Sequence, residues 1–163
     1  MKPDPPQILL IEDTREQQGY SNLFQTPCIR EALPVGDYSI AGLQDRIGIE
    51  RKSLPDLLSS LTHQRERFER ELAKARPYHF FCVIVEASAR DILEGRFDLS
   101  CANPRAIWES VAAFTIRYCP FVFAGDRPTA ARMTESLLLK FAREHQKATD
   151  AMIKAVHRFQ KSA

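Results

Sequence analysis

The chain has 163 residues, 44% hydrophobic and 27% charged. That is enough to bury the core of one compact domain without disulfides or a structural metal, and too apolar for a disordered chain. A formal charge of +2 neither demands nor excludes a polyanionic partner, so the placement of charge matters more than its sum.

Placement is uneven. Residues 51–76 hold seven Lys or Arg against four Asp or Glu, and residues 143–163 hold five against two, so two basic segments carry the excess. Cys28, Cys82, Cys101 and Cys119 form no C-x-x-C pair, which speaks against a zinc ribbon or redox site and for buried reduced thiols. No apolar leader follows Met1, and no run reaches the ~18 apolar residues of a membrane span. The expectation is an intracellular protein: cytoplasm or nucleoid if prokaryotic or phage-encoded, nucleus if eukaryotic.

Residues 1–7 contain three prolines and read as a flexible N-terminal arm. Ile8-Leu9-Leu10-Ile11 begins a buried strand closed by the polar run Glu12-Asp13-Thr14-Arg15-Glu16. Cys28 to Leu33 is a weaker strand, Pro34-Val35-Gly36 a turn, and Asp37-Tyr38-Ser39-Ile40 the next strand, from which Gly42 permits a hairpin to Ile47-Gly48-Ile49-Glu50-Arg51. The period then changes. Leu54, Leu57, Leu58 and Leu61 have helical spacing, Phe68 and Leu72 mark a second helix through Lys74, and Pro77 ends it. Phe80 to Val85 is continuously apolar, as in a strand covered on both faces, so helices must flank the sheet on both sides. Asn103-Pro104 is an N-cap followed by Pro at the first helical position, opening a helix through Ile116. Pro120 to Ala124 is the last strand. From about Thr129 the chain reads as helix, with Met133, Leu137, Phe141, Ala148, Met152, Val156 and Phe159 on one stripe. The fold class is therefore α/β, a central mixed sheet flanked by helices.

Within this pattern Asp37, Glu50 and Lys52 form a constellation suited to phosphodiester hydrolysis. That reaction needs a divalent cation, a positioned water and stabilisation of developing charge, and carboxylates beside a lysine meet all three needs. Strand alternation puts Glu50 and Lys52 on one face and Arg51 on the other. Gly48 falls on the Glu50 face and, lacking a side chain, leaves room for a phosphate to approach. Oxygen ligands in a site that keeps several waters fit Mg²⁺, with Mn²⁺ as a substitute, better than zinc. A bland alternative exists for each feature. Charged triplets such as Glu50-Arg51-Lys52 are common on solvated helices, and Arg65 and Arg67 sit among acids that would make a self-compensated helix surface. The apolar alternation before Glu50 argues against the helical reading.

Gly36-Asp37 followed by Glu50-Arg51-Lys52, with Asp56 four residues after the lysine and Asp13-Thr14-Arg15-Glu16 at the end of the first strand, resembles the motif of the XPF-type structure-specific endonucleases, which have a restriction-endonuclease-like fold. The resemblance covers residues 8–145 and is sharpest in the first half. It implies that Asp37 and Glu50 bind the metal with the backbone carbonyl of Arg51, and that Lys52 orients or helps deprotonate the attacking water. Arg51, Asp56, Asp13 and Arg15 would support the site, with an Arg51 to Asp56 contact and Arg15 on a phosphate or among the carboxylates. A further DNA-facing arginine would be Arg65 or Arg67.

The domain organisation expected on this basis is an arm over 1–7, a nuclease domain over 8–147 and a basic helical extension over 148–163. The expectation is of a chain without a Gly-rich hairpin after Ala124 and without a helicase segment before the core. Lys154 and Arg158 would then grip phosphates in place of an appended DNA-binding domain. The implied function is metal-dependent cutting of branched DNA (flap, fork or Holliday junction) by a homodimer, with a heterodimer open. The rivals are a non-catalytic DNA-binding or scaffold subunit, and a DNA-end or sequence-specific nuclease on the same fold.

Overall fold

The computed structural model describes residues 7–98 and 102–162. Most of the expected N-terminal arm, and Cys101, lie outside them.

Six strands form one mixed sheet. β1 (Leu10–Glu12), β2 (Cys28–Arg30), β3 (Tyr38–Ile40), β4 (Ile47–Lys52), β5 (Phe80–Val85) and β6 (Phe121–Phe123) lie in the order β2-β1-β3-β4-β5-β6. β1 pairs parallel with β2 and antiparallel with β3, and β3 pairs antiparallel with β4. β4, β5 and β6 run parallel. Parallel neighbours need crossovers: those joining β4, β5 and β6 are helical, whereas residues 13–27 join β1 to β2 through turns alone. Two helices, α1 (Leu54–Leu61) and α2 (Arg65–Lys74), link β4 to β5; a short α3 (Ala89–Leu93) and α4 (Pro104–Arg117) link β5 to β6. α5 (Arg127–Ser162) follows β6.

Local chemistry explains the boundaries. Ser53 caps α1 by accepting from the Asp56 backbone N–H, with Pro55 in the first turn. Asn103 caps α4 in the same way through the Ala106 N–H. α3, which no hydrophobic periodicity announces over so few residues, rests on a capping box between Ser88 and Asp91.

The side chains of β5 divide the core. Phe81, Val83 and Val85 pack with α1, α2 and α4 on one face, while Cys82 and Ile84 join Ile47, Ile49, Tyr20, Tyr38 and α5 on the other. Helices therefore cover both faces, as the unbroken apolar run of β5 requires. Two expectations shift. β1 begins at Leu10 rather than Ile8. The buried stripe of α5 is Ala130, Ala131, Thr134 and Leu138, one step round from the stripe read in the sequence: Met133 is 38% exposed, and Leu137 and Phe141 only shoulder the contact. Small residues win the buried face because the helix must approach the sheet closely. Cys82 and Cys119 are buried free thiols whose pKa burial pushes up to about 12, and the half-buried Cys28 rises to about 11, so all three stay protonated.

Candidate active site

Asp37 owes its place to the turn before it. Gly36 has φ +80, and a Cβ there would meet the Ile49 carbonyl at 3.1 Å, so the bend into β3 requires glycine. The Asp37 backbone then bonds on both sides, donating to the Ile49 carbonyl (2.8 Å) and accepting from the Asp13 N–H (2.8 Å). Tyr38 pairs with Ile49 across the antiparallel β3–β4 ladder, and both side chains enter the α5-side core. Asp37 and Glu50, one step along, face the other way.

There they line a cavity of about 600 Å³ with Asp13, Arg15, Glu16, Lys52, Asp56, Arg67 and Lys74. The Lys52 Nζ lies 2.8 Å from Glu50 Oε1 and 4.9 Å from the centre of the Phe68 ring. Burial works against the ammonium, but the Glu50 charge outweighs it and holds the Lys52 pKa above its ordinary value. Asp37 is the opposite case. Burial and the Glu50 charge hold its carboxyl well above the usual carboxylate range, although the Arg51 backbone N–H donates to Asp37 Oδ2 at 2.7 Å. Two acids crowded so that one resists ionising are a donor set that a cation would relieve. Asp37 and Glu50, with the Arg51 carbonyl, fit a hard divalent ion that retains waters. No group of three or more His, Cys, Asp or Glu among the described residues is placed to cage one.

The wall opposite β4 is the segment after β1. Asp13 accepts from Arg15 Nε (2.7 Å) and Nη2 (3.1 Å), from the Arg15 N–H (2.9 Å) and from the Leu33 N–H (2.6 Å). Burial pushes its pKa up, but these bonds outweigh burial and hold it below the usual range. Arg15 is 70% exposed while so anchored, and it feels the charges of Asp37 and Glu50. It therefore presents a fixed cation at the mouth. Arg67, paired with Glu71 at 3.0 Å, and Lys74 supply two more from α2.

Two expectations need correction, and one open choice narrows. The space above Gly48 is taken: a Cβ there would lie 2.7 Å from the Phe81 ring and 3.3 Å from Tyr78, so its missing side chain admits an aromatic ring, not a phosphate. Arg51 does not reach Asp56. It turns to the opposite face and binds Glu86 through Nε (2.7 Å) and Nη2 (2.9 Å), while Asp56 accepts from the Ser53 hydroxyl at 2.6 Å. Of the two candidate arginines, Arg67 lines the cavity. Arg65 turns away, bonding Ser110 (3.0 Å) above the Phe114 ring. Lys154 and Arg158 lie on the exposed part of α5, outside the cavity lining.

Residues 12–137 match the family described as the ERCC4 domain. The chain belongs to the ERCC4 domain family. The match takes in every residue assembled at the cavity, from Asp13 to Lys74. Among 25 matching chains of solved structures is XPF from Aeropyrum pernix, 25% identical, with a TM-score of 0.63 over 80% of this chain and 59% of that one. This ERCC4 domain thus has the XPF-type nuclease fold and spans 59% of that relative's length. No curated protein matches.

Sequence reasoning missed four residues of the ERCC4 domain's site region: Tyr20, Lys74, Glu86 and Arg127. Glu86 left a signal. Parallel β4 and β5 end side by side, Lys52 opposite Val85, so a charged residue just past the apolar run of β5 had to lie next to the motif.

Proposed function

We propose that this ERCC4 domain is a metal-dependent endonuclease that hydrolyses DNA phosphodiester bonds at branched structures. The observation that carries the reading is the half-buried pair of Asp37 and Glu50, with Lys52 at 2.8 Å from Glu50, in a cavity that Arg15, Arg67 and Lys74 also line. Acids that repel each other, with Arg15, Arg67 and Lys74 in the same cavity, suit a cation beneath a phosphate.

Asp37, Glu50 and the Arg51 carbonyl would hold Mg²⁺, with Mn²⁺ as a substitute. When bound, the ion supplies Lewis-acid polarisation of the phosphate and lowers the pKa of a coordinated water. Lys52, held protonated by Glu50, donates a hydrogen bond to the attacking water or a phosphate oxygen and stabilises developing negative charge. Asp13 fixes Arg15 so that its guanidinium meets the backbone without reorganisation. Asp56, tied to Ser53, keeps the first turn of α1 against the cavity. Arg67 and Lys74 add phosphate contacts.

Preference for flaps, forks or four-way junctions is the family expectation. Support for a homodimer, or a heterodimer, comes from exposed Ile116 on α4 and Met152, Ile153, Val156 and Phe159 on α5, which a partner would cover. No helix among the described residues is long and apolar enough to cross a membrane. The test incubates purified protein with Mg²⁺ or Mn²⁺ and labelled flaps, forks, junctions and linear duplex. Cutting confined to branched substrates and abolished by Asp37→Ala is expected. No cutting with either ion would leave a DNA-binding subunit, and equal cutting of linear duplex would remove the branch preference.

A further inference from the structure

Beneath the cavity, on the α5 side of the sheet, one carboxylate gathers three parts of the fold. Glu86 is the residue after β5, and its backbone N–H donates to the Lys52 carbonyl at 2.9 Å, so it sits directly beside the end of the motif strand. Its side chain is 10% exposed and accepts from Arg51 Nε (2.7 Å) and Nη2 (2.9 Å), the Tyr20 hydroxyl (2.7 Å) and Arg127 Nη1 (3.4 Å). Burial alone would raise its pKa, but the Arg51 and Tyr20 hydrogen bonds outweigh burial and hold Glu86 ionised, with its carboxyl below the usual range.

Each donor belongs to a different element. Arg51 is in β4, and its own N–H holds the Asp37 carboxylate. Tyr20 ends the segment that walls the cavity, its ring stacked on Tyr38 at 5.1 Å. Arg127 opens α5 and donates to the Gln18 and Gly19 carbonyls at 2.6 Å each, pinning the same wall from outside. The wall's Glu16 has only a loose hold on Arg51, at 3.7 Å.

A buried ion pair is a weak source of stability, because desolvation offsets its attraction. Its bidentate form fixes direction instead. We propose that Glu86 is a positioning residue for the cleavage site: it fixes Arg51, and through Arg51 and Tyr20 it sets the direction of Asp37 and the distance of the residue 13–20 wall. Glu86 touches no reacting atom. The proposal rests on the nuclease reading for its kinetic arm alone.

Its test uses Glu86→Gln in the full chain, with two readouts: Mn²⁺ affinity by electron paramagnetic resonance without DNA, and single-turnover cleavage of the preferred substrate across a Mg²⁺ titration. A positioning role predicts Mn²⁺ binding and the cleavage rate constant each weakened about 10-fold, with DNA affinity within about 2-fold of wild type. Combining Glu86→Gln with Arg51→Met should cost clearly less than the sum of the two single changes, since the part of the effect on Asp37 passes through Arg51. If Glu86→Gln does not fold, Tyr20→Phe removes only the hydroxyl that fixes the carboxylate and should show a smaller loss in the same direction. Wild-type Mn²⁺ affinity in whichever of these variants folds, or full additivity with Arg51→Met, would overturn the proposal. If wild type binds Mn²⁺ more tightly than Glu86→Gln yet cuts no DNA, the nuclease reading falls and the positioning role stands.

Discussion

Asp37 concentrates a conflict between stability and chemistry. Burial and Glu50 raise its pKa in the native state, so between the ordinary carboxylate value and that raised value the native protein binds a proton the unfolded chain has released. Stability therefore falls as pH rises through this window. Asp37→Asn removes the ionisation and can still accept from the Arg51 N–H, so in chelator it should be more stable than wild type at neutral pH, by about 1 kcal/mol or about 3 °C in Tm. Thermal melts from acid to neutral pH check the sign. The gap should open as pH rises and shrink when Mg²⁺ is added, while cleavage is lost. A constant gap at all pH values would mean that Asp37 is not strained. Lys52 supports a second residue-scale prediction, because it is one of several cations near the phosphate path: Lys52→Ala should leave DNA affinity within about 3-fold while removing turnover. A large loss of binding would instead make it a grip.

Elements were more legible in the sequence than their exact contacts. The strands around Asp37 and Glu50 and the capped starts of α1 and α4 carry short-range signals: period, glycine at a turn, Ser or Asn before Pro. The Asp37, Glu50, Lys52 grouping was legible because alternation fixes faces. What stayed hidden is long-range. Phe81 fills the space above Gly48 from a strand more than thirty residues on, and Glu86 takes Arg51 from just past the end of that strand, so neither pairing follows from local spacing. Gly48→Ala tests the first: the added Cβ at 2.7 Å from the Phe81 ring should cost about 1–3 kcal/mol by overpacking, read as a lower urea midpoint. Unchanged stability would mean that the ring gives way and that space above the strand is available. The α5 stripe offers a parallel contrast. Leu138 is fully buried and Phe141 only shouldered against the core, so Leu138→Ala should cost about 2–5 kcal/mol and Phe141→Ala clearly less, despite its larger side chain. The reverse order would restore the stripe read from sequence.

Taken whole, the molecule is a covered sheet from which one helix departs. The 36 residues of α5 span about 54 Å. Its buried contacts with the sheet end at Leu138, with Phe141 and Ala142 packed alongside, and residues 151–160 are all exposed. Removing residues from 148 onward therefore deletes none of the buried core, and Tm should stay within about 2 °C of wild type. Function should not stay unchanged. Met152, Ile153, Val156 and Phe159 offer apolar area that association would cover, whereas Lys154 and Arg158 offer charge that phosphates would neutralise. Two variants separate these forces. Val156→Glu with Phe159→Glu should lower the mass in solution from dimer to monomer with little change in the salt dependence of DNA binding. Lys154→Gln with Arg158→Gln should keep the mass and reduce the slope of log affinity against log salt by about 2, close to 0.9 for each lost phosphate contact. Sedimentation and a salt titration read both. A truncated chain with wild-type mass and wild-type slope would show that the extension serves neither association nor phosphate binding, and DNA contact would then rest on Arg15, Arg67 and Lys74 at the cavity.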